Sequence, residues 1–123
     1  MERQDQAKAE RRRRYHRGHR GEFLAALALM SKGYRIVGRR VVTSAGEIDI
    51  VAVRGDRIAF VEVKRRRTRD DAEASITAAQ RRRVHRAAEV WLARHATFRE
   101  RDIGFDIVFV LPWRWPEHLV NAL

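Results

Sequence analysis

Between Gly46 and Lys64 apolar and polar positions alternate closely enough to predict two strands, 47–53 and 58–64, on either side of Arg54-Gly55-Asp56-Arg57. A period of two is the strand signature, and Gly-Asp between two alternating runs signals a hairpin. Upstream, residues 21–32 carry Phe23, Leu24, Leu27, Leu29, Met30 and alanines. This pattern predicts a helix apolar on nearly all sides and therefore buried, stopped by Gly33 in a left-handed cap. Ile36, Val37, Val41 and Val42 support a strand over 34–43. Asp70-x-x-Glu73 reads as a capping box opening one helix over about 71–96, with Ile76, Val84, Ala87 and Trp91 as its buried stripe. Residues 105–111 read as a strand, and 118–123 as a short element of open type. The order is helix, three strands, helix, strand. The crossover from Lys64 to Phe105 then sets the last long strand parallel to the third, giving an α/β fold with a mixed sheet flanked by helices.

At 123 residues and 45% hydrophobic, the chain suits one compact domain, expected over 21–123. Residues 1–20 lack apolar periodicity and include Arg11-Arg12-Arg13-Arg14-Tyr15-His16-Arg17. They read as a flexible basic arm, either ordering on an anion or inertly solvated. The longest apolar run, Phe23 to Met30, is far short of the ~18 residues of a membrane span. The charged start has no signal-peptide core, so a cytoplasmic location is expected. With no cysteine, disulfides, thiolate zinc sites and cysteine nucleophiles are excluded.

Charge changes the picture most. Lys and Arg number 27 against 16 acidic residues, for a net +11, and only Lys8, Lys32 and Lys64 are lysines. Such a surface attracts polyanions, and the guanidinium fork suits phosphate oxygens, so nucleic acid is the leading partner. An anionic membrane surface or simple solubility remains the plainer reading, and a GC-rich genome also favours arginine.

A two-residue loop at Gly55-Asp56 makes Arg54 the partner of Arg57. It thereby sets Asp49 opposite Glu62 and Glu47 opposite Lys64, with Cβ atoms ~4.5–5.5 Å apart. Opposed carboxylates repel unless compensated, by Lys64 in part and by a divalent cation more fully. Two carboxylates, with the Val63 carbonyl, suit Mg²⁺ or Mn²⁺. A lysine beside such a metal positions water or stabilises charge on a phosphoryl oxygen. The plainer reading is a solvated hairpin face of Glu/Lys pairs. Glu22 opens the apolar helix and sits at the edge of its burial, unless it serves only the helix dipole. Gln80, four residues after Ile76 and four before Val84, falls in the apolar stripe, where a buried amide needs partners from a site or from structure.

Gly21-Glu22, Gly33-Tyr34, Gly46-Glu47-Ile48-Asp49-Ile50, Phe60-Val61-Glu62-Val63-Lys64, Ala79-Gln80, Phe105-Asp106-Ile107-Val108 and Asn121-Ala122 together resemble the YraN family. That family is grouped with the PD-(D/E)XK nucleases and is similar to Holliday-junction resolvases. The resemblance runs from about Gly18 to the C-terminus. It implies a restriction-endonuclease-like αβββαβ core, Asp49 and Glu62 as metal ligands, Lys64 as catalytic lysine, Glu22 as a helix-borne acidic partner, and Gln80 as the family's helix glutamine. The position before it, often lysine in the family, is Ala79. The expectation is an Mg²⁺-dependent endonuclease cutting DNA, with Mn²⁺ as an alternative. Arg65, Arg66, Arg67, Arg81, Arg82 and Arg83 would grip the backbone, and a symmetric junction would call for a homodimer. The alternatives are a non-catalytic nucleic-acid-binding protein on a nuclease fold and a structural component of an RNA- or membrane-linked complex.

Overall fold

The computed structural model describes residues 5–6 and 21–123. The expected basic arm, residues 1–20, lies outside the described residues apart from 5–6, which are helical. Residues 21–31 form helix α1, and Gly33 closes it at φ +91°. Three strands follow as a meander: β1 (Arg35–Thr43), β2 (Gly46–Arg54) and β3 (Arg57–Arg65). Two helices, α2 (Arg69–Ala74) and α3 (Ala78–Arg94), then lead to β4 (Asp102–Val110) and a three-residue β5 (Glu117–Leu119).

The five strands lie in sequence order in one sheet. β1–β2, β2–β3 and β4–β5 are antiparallel, while β3–β4 is parallel. The mixed α/β architecture and the crossover are thus as the pattern implies, and they fit a restriction-endonuclease-like core. β4 starts three residues earlier than expected, and the open C-terminal element begins as a strand.

The sheet buries both faces. On one, Val51, Val53, Ile58, Phe60, Ile107 and Phe109 pack against Val84, Ala87, Ala88 and Trp91 of α3, with Phe60 edge-on to Trp91. On the other, Ile50, Ala52, Ala59, Val61, Val108 and Val110 meet Ala25, Ala26 and Leu29 of α1. The small alanines let α1 lie close to the sheet. Among the described residues nothing covers its outer face, where Phe23, Leu24 and Met30 are exposed. The expectation of burial on nearly all sides is corrected to a one-sided, alanine-lined contact.

The single helix expected over 71–96 is two helices. Thr68, not Asp70, caps α2 by accepting from the Asp71 amide, and Ser75 ends it. Thr77 then opens α3 with a full capping box: its hydroxyl accepts from the Gln80 amide at 3.1 Å, and the Gln80 side chain accepts from the Thr77 amide at 3.3 Å. The apolar phase drawn from Ile76 therefore breaks, because Ile76 precedes the helix. Gln80 is a half-buried cap and does not point into the sheet. Thr77→Ala is expected to lower stability by ~1 kcal/mol, read as a shifted urea midpoint at unchanged slope.

Candidate metal and nucleic-acid site

The hairpin register is as the turn implies, from Arg54↔Arg57 through Ile50↔Val61. The paired ladder ends there, and the Asp49 side chain takes over: Oδ2 accepts from the Val63 amide at 2.8 Å. The carboxylate thus satisfies a backbone donor that the end of the ladder would leave unpaired. Glu47 does not face Lys64; it is exposed and pairs with Val42 of β1. Lys64 instead approaches Glu62, two residues back on the same side of β3, at 3.4 Å. Both are nearly buried, at 3% and 8% exposure.

Burial and the Glu62 charge push the Asp49 carboxyl up to about 7. The Val63 hydrogen bond opposes this, Glu22 adds to it, and Lys64 offsets it in part. Glu22 is buried and receives the Arg40 Nε at 2.7 Å. Arg40 adopts φ +48°, an unusual conformation for a long side chain, and it partly offsets the Glu22 charge. Asp49 and Glu62 are left as a carboxylate pair that Lys64 only partly compensates. Among the described residues no three His, Asp or Glu side chains converge as a metal-ligand cluster. Of the buried carboxylates here, Glu22 is engaged by Arg40, and the crowded negative charge of Asp49 and Glu62 fits a hard divalent cation whose remaining ligands are backbone or water oxygens. Asp49 and Glu62 would hold it.

Asp49, Glu62, Val63 and Lys64 open into a cleft of about 1400 Å³, also bordered by Glu22, by Arg65, Arg66 and Arg67, and by residues 110–116. Arg81, Arg82 and Arg83 do not reach it; they lie exposed on α3, where the Arg83 stem covers the turn at Gly46. Gln80 does not line it either.

A second polar cluster carries no role in the sequence reading. Asp106, fully buried on β4, receives Arg57 through both guanidinium Nη atoms at 2.7 and 2.6 Å. It also receives His118 Nε2 at 2.7 Å and the Asn121 amide at 2.9 Å. Burial raises its carboxyl, but the Arg57 and His118 hydrogen bonds outweigh that and hold it well below the usual carboxylate range. The Lys32 ammonium approaches His118 Nδ1 at 2.6 Å. An ammonium can only donate, so Nδ1 accepts and Nε2–H is the proton given to Asp106. Arg57 further donates to the Tyr34 hydroxyl and the Asn121 Oδ1. Gly104 makes room: a Cβ there would lie 2.0 Å from Arg57 Nη2. Arg57 begins β3 five residues, roughly 16 Å, before Glu62, so this cluster ties β3, β4 and the C-terminal segment together away from the cleft. A charged residue amid the apolar run 105–111, preceded by a strand glycine, was the available signal.

No helix among the described residues is long and apolar enough to cross a membrane. The model of the "Uncharacterised protein family UPF0102" matches residues 21–110, which span the first helix, the meander, the crossover and β4. The chain is 54% identical over 114 residues to the UPF0102 protein of Mesorhizobium japonicum, covering 93% of this chain and 91% of that one. It is 54% identical over 106 residues to that of Sinorhizobium medicae, covering 86% and 87%. It is 53% identical over 123 residues to that of Methylobacterium nodulans, covering 99% and 95%. With the Gly-Glu-Ile-Asp and Phe-Val-Glu-Val-Lys segments inside the matched region, and relatives aligned nearly end to end, the chain belongs to the UPF0102 family, the YraN proteins that its motifs indicate.

Proposed function

We propose that this protein is a divalent-metal-dependent endonuclease acting on DNA. The reading rests on one observation above the others: a partly compensated Asp49–Glu62 carboxylate pair, with the Lys64 ammonium beside it, at the floor of an arginine-bordered cleft. A bound cation supplies Lewis-acid polarisation of a phosphoryl oxygen and a more acidic water. The chain's own groups do the rest. Lys64, held against Glu62 and nearly buried, presents a fixed positive charge where negative charge develops on the phosphodiester. Arg65, Arg66 and Arg67 receive the flanking phosphates and set the register of the strand. Arg40 pairs with Glu22 and moderates the third negative charge that Glu22 brings beside Asp49.

The test is cleavage by purified protein of duplex, single-stranded, flap and four-way-junction DNA with Mg²⁺, Mn²⁺ or EDTA. Metal-dependent cutting, lost in Asp49→Ala and Glu62→Ala, is the expected result. No cutting of any substrate with salt-sensitive binding retained would instead make the protein a non-catalytic nucleic-acid-binding module.

A further inference from the structure

The connection from β4 to β5 runs Leu111-Pro112-Trp113-Arg114-Trp115-Pro116, and it forms one wall of the cleft. Trp113 is fully exposed and Trp115 is 64% exposed. Most tryptophans in a domain this size bury their large ring, as Trp91 does here. Two indoles held in water with one residue between them are the largest departure from that rule among the described residues. Trp113 also adopts φ +63°, a left-handed conformation costly for a bulky side chain, and such strain persists where the surroundings impose it. Pro112 and Pro116 bracket the pair and restrict the loop from both ends, so the rings are presented by a stiffened segment.

We infer that Trp113 and Trp115 form a stacking platform for unpaired bases, so that the cleft takes nucleic acid with single-stranded character. This deepens the phosphodiester reading above and rests on it for the role of the cleft. Every base offers a π-face once unstacked, and aromatic side chains bind it without regard to sequence. In a duplex those faces are covered by neighbouring pairs. Arg65, Arg66, Arg67 and Arg114 border the same cleft, so groups suited to the phosphates lie beside rings suited to the bases. The cleft volume, about 1400 Å³, exceeds the ~300–1,000 Å³ of small-molecule sites, which favours a segment of polymer. Indoles and arginines also suit a lipid headgroup layer. Here, however, they stand on the wall of a concave cleft, which admits a strand and not a flat headgroup layer.

The experiment is binding in EDTA, read by fluorescence anisotropy, of a labelled oligothymidylate and of a duplex of equal length. Wild type is compared with Trp113→Ala, Trp115→Ala, the double variant and Trp113→Phe. Vesicles of equimolar phosphatidylglycerol and phosphatidylcholine are run alongside. Each alanine substitution should weaken the oligothymidylate by ~5-fold or more, with duplex affinity changed by less than about 2-fold, and Trp113→Phe should restore most of the loss. General arginine electrostatics act on both nucleic acids, so their ratio isolates stacking. Absent oligothymidylate binding, equal losses on both DNAs, no loss on either, or a loss confined to the vesicles would each overturn the inference. Because EDTA prevents metal-dependent cutting, failure of the hydrolytic reading leaves this readout intact.

Discussion

Arg57→Ala is expected to cost about 3–5 kcal/mol of folding stability, the typical penalty for removing one partner of a buried ion pair. A domain of this size has ~5–15 kcal/mol in total, so the variant should unfold at far lower urea. The reason is Asp106: it is fully buried and depends on both Arg57 Nη atoms, with His118 and the Asn121 amide as its further partners. Arg57→Lys should recover little, because one ammonium cannot bond both carboxylate oxygens and also reach Tyr34 and Asn121. The pH dependence has a definite sign. Asp106 has a lowered pKa when folded, so below its ordinary value of 3.8 the unfolded chain binds the extra proton. Its contribution is complete above that value and fades as pH falls through the lowered one. In Arg57→Ala this part of the acid dependence should flatten. A loss under about 1 kcal/mol would show that the cluster is not what joins β3 to β4 and the C-terminal segment.

Asp49→Asn should do two opposite things: end metal-dependent cleavage and make the metal-free protein more stable. The folded carboxyl is raised from 3.8 to about 7, so between those values the folded state holds a proton that the unfolded state has lost. Stability therefore falls as pH climbs from about 4 to about 7 and stays reduced above. A shift of this size corresponds to roughly 4 kcal/mol as an upper bound. Asparagine keeps an oxygen for the Val63 amide and removes the charge. In EDTA at pH 8 the variant should melt higher than wild type by on the order of 5 °C or more. Mg²⁺ should raise the melting temperature of wild type and leave that of Asp49→Asn unchanged. A variant that melts lower than wild type in EDTA would mean the carboxylate is not under this strain.

How much of this could be read from the chain depends on the distance between partners. Gly55-Asp56 between two alternating runs was enough to fix five residue pairs of the β2–β3 register, and hence the neighbourhood of Asp49 and Glu62. What the alternation could not show is that the ladder stops at Ile50, where a side chain replaces a backbone partner. The helix break was written in Thr77-x-x-Gln80, but Asp70-x-x-Glu73 offered the same pattern seven residues earlier, and a wheel drawn through both placed Gln80 on a buried stripe. Asp106 is a charge in an apolar strand to which the pattern attached no role. Its partner Arg57 is 49 residues away, and nothing local pairs the two. Trp113 and Trp115, bracketed by prolines, were visible as types; their exposure depends on where the β4–β5 connection runs.

The parallel pairing of β3 with β4 sets the order in which the molecule can assemble. The β1–β2 and β2–β3 hairpins close over loops of a few residues, whereas Arg57 meets Asp102 only after the whole α2–α3 crossover has been drawn in, and closing that longer loop costs more chain entropy. The meander carrying Asp49, Glu62 and Lys64 is therefore the natural early nucleus, and β4 docks onto an edge already formed. Asp106 and Arg57 join in that late step, so loss of their contact accelerates unfolding more than it slows folding.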